Sequence, residues 1–112
     1  MGNIPSTILN TNPSKAMNIA IDYDDTWTKD PESWLSVATL LKMRGHTCYL
    51  VTGRIGWSDD MERMGLPSWM PQIYCGREPK DRYCRKKGIV IDVWIDDMPE
   101  CIRETKILTG DL

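Results

Sequence analysis

The sequence has no large excess of either charge. Fourteen Lys and Arg stand against sixteen Asp and Glu, a net charge of −2. That balance excludes the strongly basic footprint of a protein that coats nucleic acid, but not one that handles nucleotides singly. No apolar run approaches the ~20 residues of a membrane span, and the start has no signal-peptide h-region. Cys48, Cys75, Cys84 and Cys101 form no C-x-x-C pair, and the single histidine, His46, does not complete a zinc ligand set. Ordinary buried or half-buried thiols in a reducing cytoplasm are the expectation. Internal repeats are absent too. What remains, in 112 residues that are 41% hydrophobic and 27% charged, is one globular domain.

Residues 1–16 are rich in Asn, Pro, Ser and Thr without periodicity and read as an N-terminal arm, with the domain over 17–112. The arm opens on Met1-Gly2-Asn3-Ile4-Pro5-Ser6, a loose and common match to a myristoylation pattern. From Met17 strands and helices alternate. Met17–Ile21 is an apolar strand running into Asp22. Asp30, Pro31 and Glu32 mark a helix start, Trp34, Leu35, Ala38 and Leu41 follow at helical spacing, and Gly45 stops it. Thr47–Val51 is a second strand ending at Thr52, and Ser58 is placed to cap a short helix through Met64. Gln72–Cys75 is a third strand, Asp81–Lys87 a helix, and Ile89–Ile95 a fourth strand ending in Asp96-Asp97. Met98 to about Glu104 reads as a helix, and Ile107-Leu108 as a short edge strand. The pattern predicts an α/β fold: a single Rossmann-like domain whose parallel sheet of four to five strands is flanked by helices.

In such a sheet the ligand site lies beyond the carboxyl ends of the strands. Those ends carry Asp22, Thr52 and Asp96. Asp22 and Asp24, two apart, leave an extended chain on the same side. Carboxylates gathered at one edge repel one another unless a cation neutralises them, and an oxygen-only set suits Mg²⁺. The Thr52 hydroxyl and the Lys80 ammonium add donors for an anion held there, which together make a phosphate site. Lys80 is preferred to Lys86 and Lys87 because it follows the Gly76–Pro79 break and leaves room for one helix and one strand before Asp96.

The ordered set Asp22-Tyr23-Asp24-Asp25-Thr26, strand-Thr52, Lys80, strand-Asp96-Asp97 resembles the haloacid dehalogenase (HAD) superfamily of phosphohydrolases over about residues 17–100. The resemblance implies Asp22 as the nucleophile that forms an aspartyl phosphate and Asp24 as the general acid/base. It implies Thr52 and Lys80 as groups that bind the transferring phosphoryl. It implies Asp96, with Asp97, as magnesium-binding acids beside the Asp22 carboxylate and the Asp24 backbone carbonyl. Two positions depart from the common family pattern. Asp25, where many members have Gly, is read as a turn residue outside the chemistry. Trp27, where a small aliphatic residue is usual, is expected to narrow the entrance and, with Gly53 and Arg54, to bind substrate.

The segments after Trp27 and after Arg54 are too short for a lid domain, so the expected enzyme is capless. An open site needs a large substrate or a second subunit to exclude water. The expected substrate is a phosphomonoester on a small molecule, a nucleotide or a nucleic-acid end, and a homo-oligomer covering the site is an expected partner. Trp57 and Trp69 are read first as loop packing and second as surfaces for stacking on a base, Trp34 and Trp94 as core, and His46 as a surface residue. Two other functional classes gather acids at strand ends. A receiver domain places an acidic pair early and its phosphorylated Asp after the third strand, whereas here that strand ends in Cys75 and the acid pair comes last. A PIN-type metal-dependent nuclease also gathers acids at strand ends but has no need of Thr52 or Lys80.

Overall fold

The structure, a computed structural model, describes residues 15–103. Most of the arm, including the Met1–Ser6 pattern, and the strand expected at Ile107-Leu108 lie outside the described residues.

Four parallel strands form one sheet: β1 (Asn18–Ile21), β2 (Thr47–Thr52), β3 (Gln72–Tyr74) and β4 (Val93–Ile95). Two helices flank it, α1 (Pro31–Met43) and α2 (Lys80–Lys86), which makes the α/β Rossmann-like domain that the alternation predicts. The spatial order is β3-β2-β1-β4. It follows the Rossmann order, in which the chain reverses its direction of travel across the sheet between β1 and β4.

The strands are covered on both faces, and their side-chain alternation divides the core into two clusters. Ile19 and Ile21 of β1 join Cys48 and Leu50 of β2, Ala38 of α1, Tyr23, Trp27, Met61 and Met70. The intervening Ala20 and Val51 join Cys75, Cys84 of α2 and Ile91 on the other face. By the same alternation Asp22, one residue past β1, shares the parity of Ala20 and belongs to the α2 face.

Asp30 caps α1 by accepting from the Ser33 amide and hydroxyl, and Pro31 occupies the first turn. Gly45, at φ 94°, lets His46 N–H return to the Leu41 carbonyl and end the helix. His46 is half-buried rather than a surface residue, because its Nδ1 accepts from the Met17 amide at 3.0 Å. Trp34 and Trp94 are partly buried and pack against the two clusters.

Three elements are shorter than their sequence suggests. Over Ser58–Met64 only a 3₁₀ turn, Asp59–Arg63, forms. The Ser58 hydroxyl bonds to Asp60 and accepts from Arg54 instead of capping a helix. In Ile89–Ile95 only Val93–Ile95 pairs as strand, because the Asn18 side chain donates to the Val90 carbonyl and the Asn18 backbone amide to the Asp92 carboxylate, which ties down the preceding stretch. After Asp97 a 3₁₀ turn, Pro99–Cys101, replaces the expected helix, since the Asp96 carboxylate accepts from the Met98 amide and turns the chain at once.

Candidate functional site

At the carboxyl ends of the strands lies a cavity of about 620 Å³ lined by Asp22, Asp24, Thr52, Gly53, Arg54, Lys80, Asp96 and Asp97. Among the described residues no folded lid covers it: residues 55–71 hold only the 3₁₀ turn, and residues 28–46 hold α1.

Asp22 extends the β1–β4 ladder by one bond, its amide donating to the Ile95 carbonyl at 2.9 Å. This bond sets its carboxylate beside the end of β4, where the chain's crossover reverses. Lys80, the first residue of α2, reaches both acids. Its Nζ is 2.7 Å from Asp22 Oδ1 and 2.6 Å from Asp96 Oδ2. All three groups are almost dry, with side-chain exposures of 6% for Lys80, 8% for Asp22 and 2% for Asp96. Thr26 closes the arrangement from below, its hydroxyl 3.3 Å from both Asp22 Oδ2 and Asp97 Oδ1. Sequence reasoning quoted Thr26 within the motif but gave it no role; it ties the first acid to the last.

Burial pushes the Asp22 carboxyl up to about 6. The Lys80 ammonium opposes that rise, while Asp97 and Asp96 add to it. Burial also acts against the Lys80 cation, but its bonds to Asp22 and Asp96 outweigh it and hold the ammonium above its ordinary value. Asp97 is held below the usual carboxylate range, chiefly by its hydrogen bond with Asp22.

Asp22, Asp96 and Asp97 each present a carboxylate oxygen, and these oxygens all lie within 4.8 Å of one another. Hard oxygen donors converging at that spacing fit a divalent cation such as Mg²⁺ or Ca²⁺. Asp24 does not offer its carboxylate to this cluster.

The chain turns immediately after β1, so Asp22 and Asp24 do not continue side by side as they would in an extended strand. Tyr23, fully buried, separates them. Asp24 instead takes a bidentate pair with Arg54, at 2.9 Å to Nε and 2.8 Å to NH2. The same guanidinium bonds Asp60 at 2.8 Å and Ser58 at 2.6 Å, and its carbon sits 4.9 Å from the Tyr23 ring centroid. Hydrogen bonds from Arg54 and Ser58 pull the Asp60 carboxyl down to about 2. Asp60 went unnoticed in the sequence and Ser58 was read only as a helix cap, since nothing local marks a serine and an acid a few residues past an arginine as its partners.

Thr52 is buried, and its Oγ1 accepts from the Arg54 amide at 3.2 Å, leaving its hydroxyl hydrogen without an acceptor among the described residues. Gly53 passes close to the next loop: a Cβ there would stand 3.4 Å from the Gly76 carbonyl oxygen. Asp25 is an exposed turn residue at φ 63°, a left-handed conformation in which Asp and Asn are over-represented among non-glycine residues. The common glycine at this place in the resembling family fits the same conformation.

Trp27 is a correction. It has 0% exposure, belongs to the α1-side core and donates its indole N–H to the Met64 carbonyl at 2.7 Å. It does not line the cavity, because the turn after Asp22 carries it inward beneath the sheet edge. Trp57 and Trp69 are 52% and 36% exposed and also stand off the cavity lining, Trp69 beneath Lys42. Lys86 pairs with Glu78 and Lys87 stacks on Tyr83, so neither competes with Lys80.

Comparisons of the chain with protein-family models, with curated proteins and with solved structures found no match.

Proposed function

We propose that this chain is a Mg²⁺-dependent phosphomonoester hydrolase of the HAD type, working through an aspartyl phosphate on Asp22. The observation that carries the reading is the Lys80 ammonium clamped between Asp22 and Asp96, with the Thr52 hydroxyl on the same cavity wall. A buried acid held by a buried cation at a strand end is a preorganised place for a nucleophile and for the charge that develops on phosphorus.

Asp22, Asp96 and Asp97 would hold the cation, which when bound would keep Asp22 ionised and screen phosphate oxygens. An oxygen of the ionised Asp22 attacks phosphorus in line, forming a P–O bond as the bond to the leaving oxygen breaks. Asp24 gives that oxygen its proton. Asp24 then takes a proton from a water whose oxygen attacks phosphorus, and inorganic phosphate departs as Asp22 regains its electron pair. Lys80 and Thr52 bind the phosphoryl oxygens throughout. Asp24 can serve only when Arg54 releases one of its oxygens, and Arg54 stays anchored meanwhile by Asp60 and Ser58.

The strand order supports this reading over a receiver domain, whose doubly-wound order flanks β1 with β2 and β3 rather than with β2 and β4. A soluble cytoplasmic enzyme is part of the proposal; no helix among the described residues is long and apolar enough to cross a membrane.

The test is phosphate release from nucleotides, phosphorylated oligonucleotides, sugar phosphates and phosphopeptides, with and without Mg²⁺. Release only with Mg²⁺, abolished in a folded Asp22→Asn variant, is expected. Equal turnover by Asp22→Asn ends the covalent mechanism, and cleavage of single strands without phosphate release moves the reading to the nuclease.

A further inference from the structure

The cavity has three cationic side chains, and two of them are already engaged by acids of the protein. Lys80 belongs to Asp22 and Asp96, and Arg54 to Asp24 and Asp60. The third is Arg77, an exposed residue of the cavity wall that makes no ion pair, hydrogen bond or ring contact among the described residues. Its neighbour Glu78 offers no internal partner either, since Lys86 lies 3.1 Å and Arg82 3.4 Å from its carboxylate.

The backbone holds Arg77 firmly at the site. Cys75 N–H donates to the Thr52 carbonyl at 2.8 Å and Gly76 N–H to the Arg54 carbonyl at 3.4 Å, so the loop after β3 lies against the loop after β2. Gly76, at φ 61°, turns the chain there, and three residues after Arg77 the helix α2 begins with Lys80. One short segment therefore supplies to the cavity lining a buried ammonium and an exposed guanidinium with no partner among the described residues.

Acids outnumber cations on the rest of the wall, so an anion gains little from the general field of the cavity and must find a localised partner. A guanidinium binds phosphate in fork geometry and stays charged at every working pH.

We propose that Arg77 is the specificity-determining residue of this site and reads a second phosphate on the leaving group. The substrate class is a phosphomonoester whose alcohol itself carries a phosphate, with Lys80 and Thr52 taking the phosphoryl that is transferred and Arg77 the one that stays. This inference rests on the phosphatase reading for its chemistry, and its binding component is separable from it.

The test compares kcat/KM for a nucleoside monophosphate, a nucleoside bisphosphate and a terminally phosphorylated dinucleotide. The protein, Arg77→Ala and Arg77→Glu are assayed with Mg²⁺, alongside calorimetric binding of the same three compounds to folded Asp22→Asn. The compounds with two phosphates should be preferred by about 10- to 100-fold, mostly through KM, as expected for a charge-assisted contact. Arg77→Ala should bring the ratio near one and Arg77→Glu should invert it. Whichever two-phosphate compound shows the larger ratio tells a free nucleotide from a nucleic-acid end. A preference absent from the unaltered protein, or an equal loss on all three compounds in Arg77→Ala, overturns the proposal. An Arg77-dependent preference in binding with no phosphate release from any compound upholds Arg77 and removes the phosphatase instead.

Discussion

The two acids of Asp22-Tyr23-Asp24 stand two residues apart and live in opposite surroundings. The inner one is buried, shares a lysine with Asp96 and is joined through Thr26 to Asp97. The outer one is half exposed, at 52%, and is held by an arginine that also serves Asp60 and Ser58. Burial dominates at the first and raises the carboxyl; at the rim, direct pairing dominates and Asp60 is lowered. Under the proposed reading the difference separates two tasks. The inner group is fixed by strand ends and the first residue of a helix, as an attacking atom would have to be. The outer acid is half exposed, where opening a pair costs less, as a group that would deliver and retrieve a proton requires.

Removing the cation of the inner group should have the largest effect. Lys80→Met leaves Asp22 and Asp96 facing each other without a counter-charge, and urea unfolding should show a loss of about 3–5 kcal/mol, with phosphate release gone. An unfolding midpoint like that of the unaltered protein would mean the inner group is no more than a surface ion pair. Next comes the outer acid. Asp24→Asn should slow turnover by about 10²- to 10⁴-fold and let phosphoenzyme on Asp22 accumulate, detectable by intact-mass spectrometry. A loss confined to KM would show that Asp24 only holds substrate.

The smallest effect sharpens the contrast by pH. Without divalent cation the folded chain keeps the Asp22 proton up to about 6, whereas the unfolded chain releases it near the ordinary 3.8. Below both values the two states bind it equally. Between them only the folded state does, so the Asp22 contribution to stability is lost as pH rises through that window. Relative to the unaltered protein, Asp22→Asn should gain stability by about 2–3 kcal/mol between about pH 4 and pH 7, read from urea midpoints in chelator. A difference that stays flat across that range would show that Lys80, rather than burial, governs the acid.

What the sequence disclosed and what it hid follow one line. Strand ends were legible because a run such as Ile19–Ile21 is apolar throughout and then stops at an acid, which is the signature of a strand buried on both faces. The helix α1 was legible from its cap, its proline and its terminal glycine. The pairing of Asp24 with Arg54 was not, because a contact across thirty residues depends on which loops adjoin, and no local propensity encodes that. Trp27 went wrong for a related reason. Standing beside the acid motif says nothing of direction, and the turn after Asp22 sends its indole down to Met64. Ser58 has the chemistry of a helix cap, but a nearby guanidinium outbid the backbone for its hydroxyl. Arg77 carried no motif at all; only the pairing of every other cation around the cavity sets it apart.

The position of β4 beside β1 has a consequence for how the molecule comes into being. The first acid emerges from the ribosome some seventy residues ahead of Asp96, and its ladder bond is to Ile95. Contacts of such long sequence separation form late in folding. A nascent or truncated chain that stops short of β4 holds Asp22 with neither its ladder partner nor Asp96 and Asp97, and the cluster cannot assemble until synthesis has passed that point.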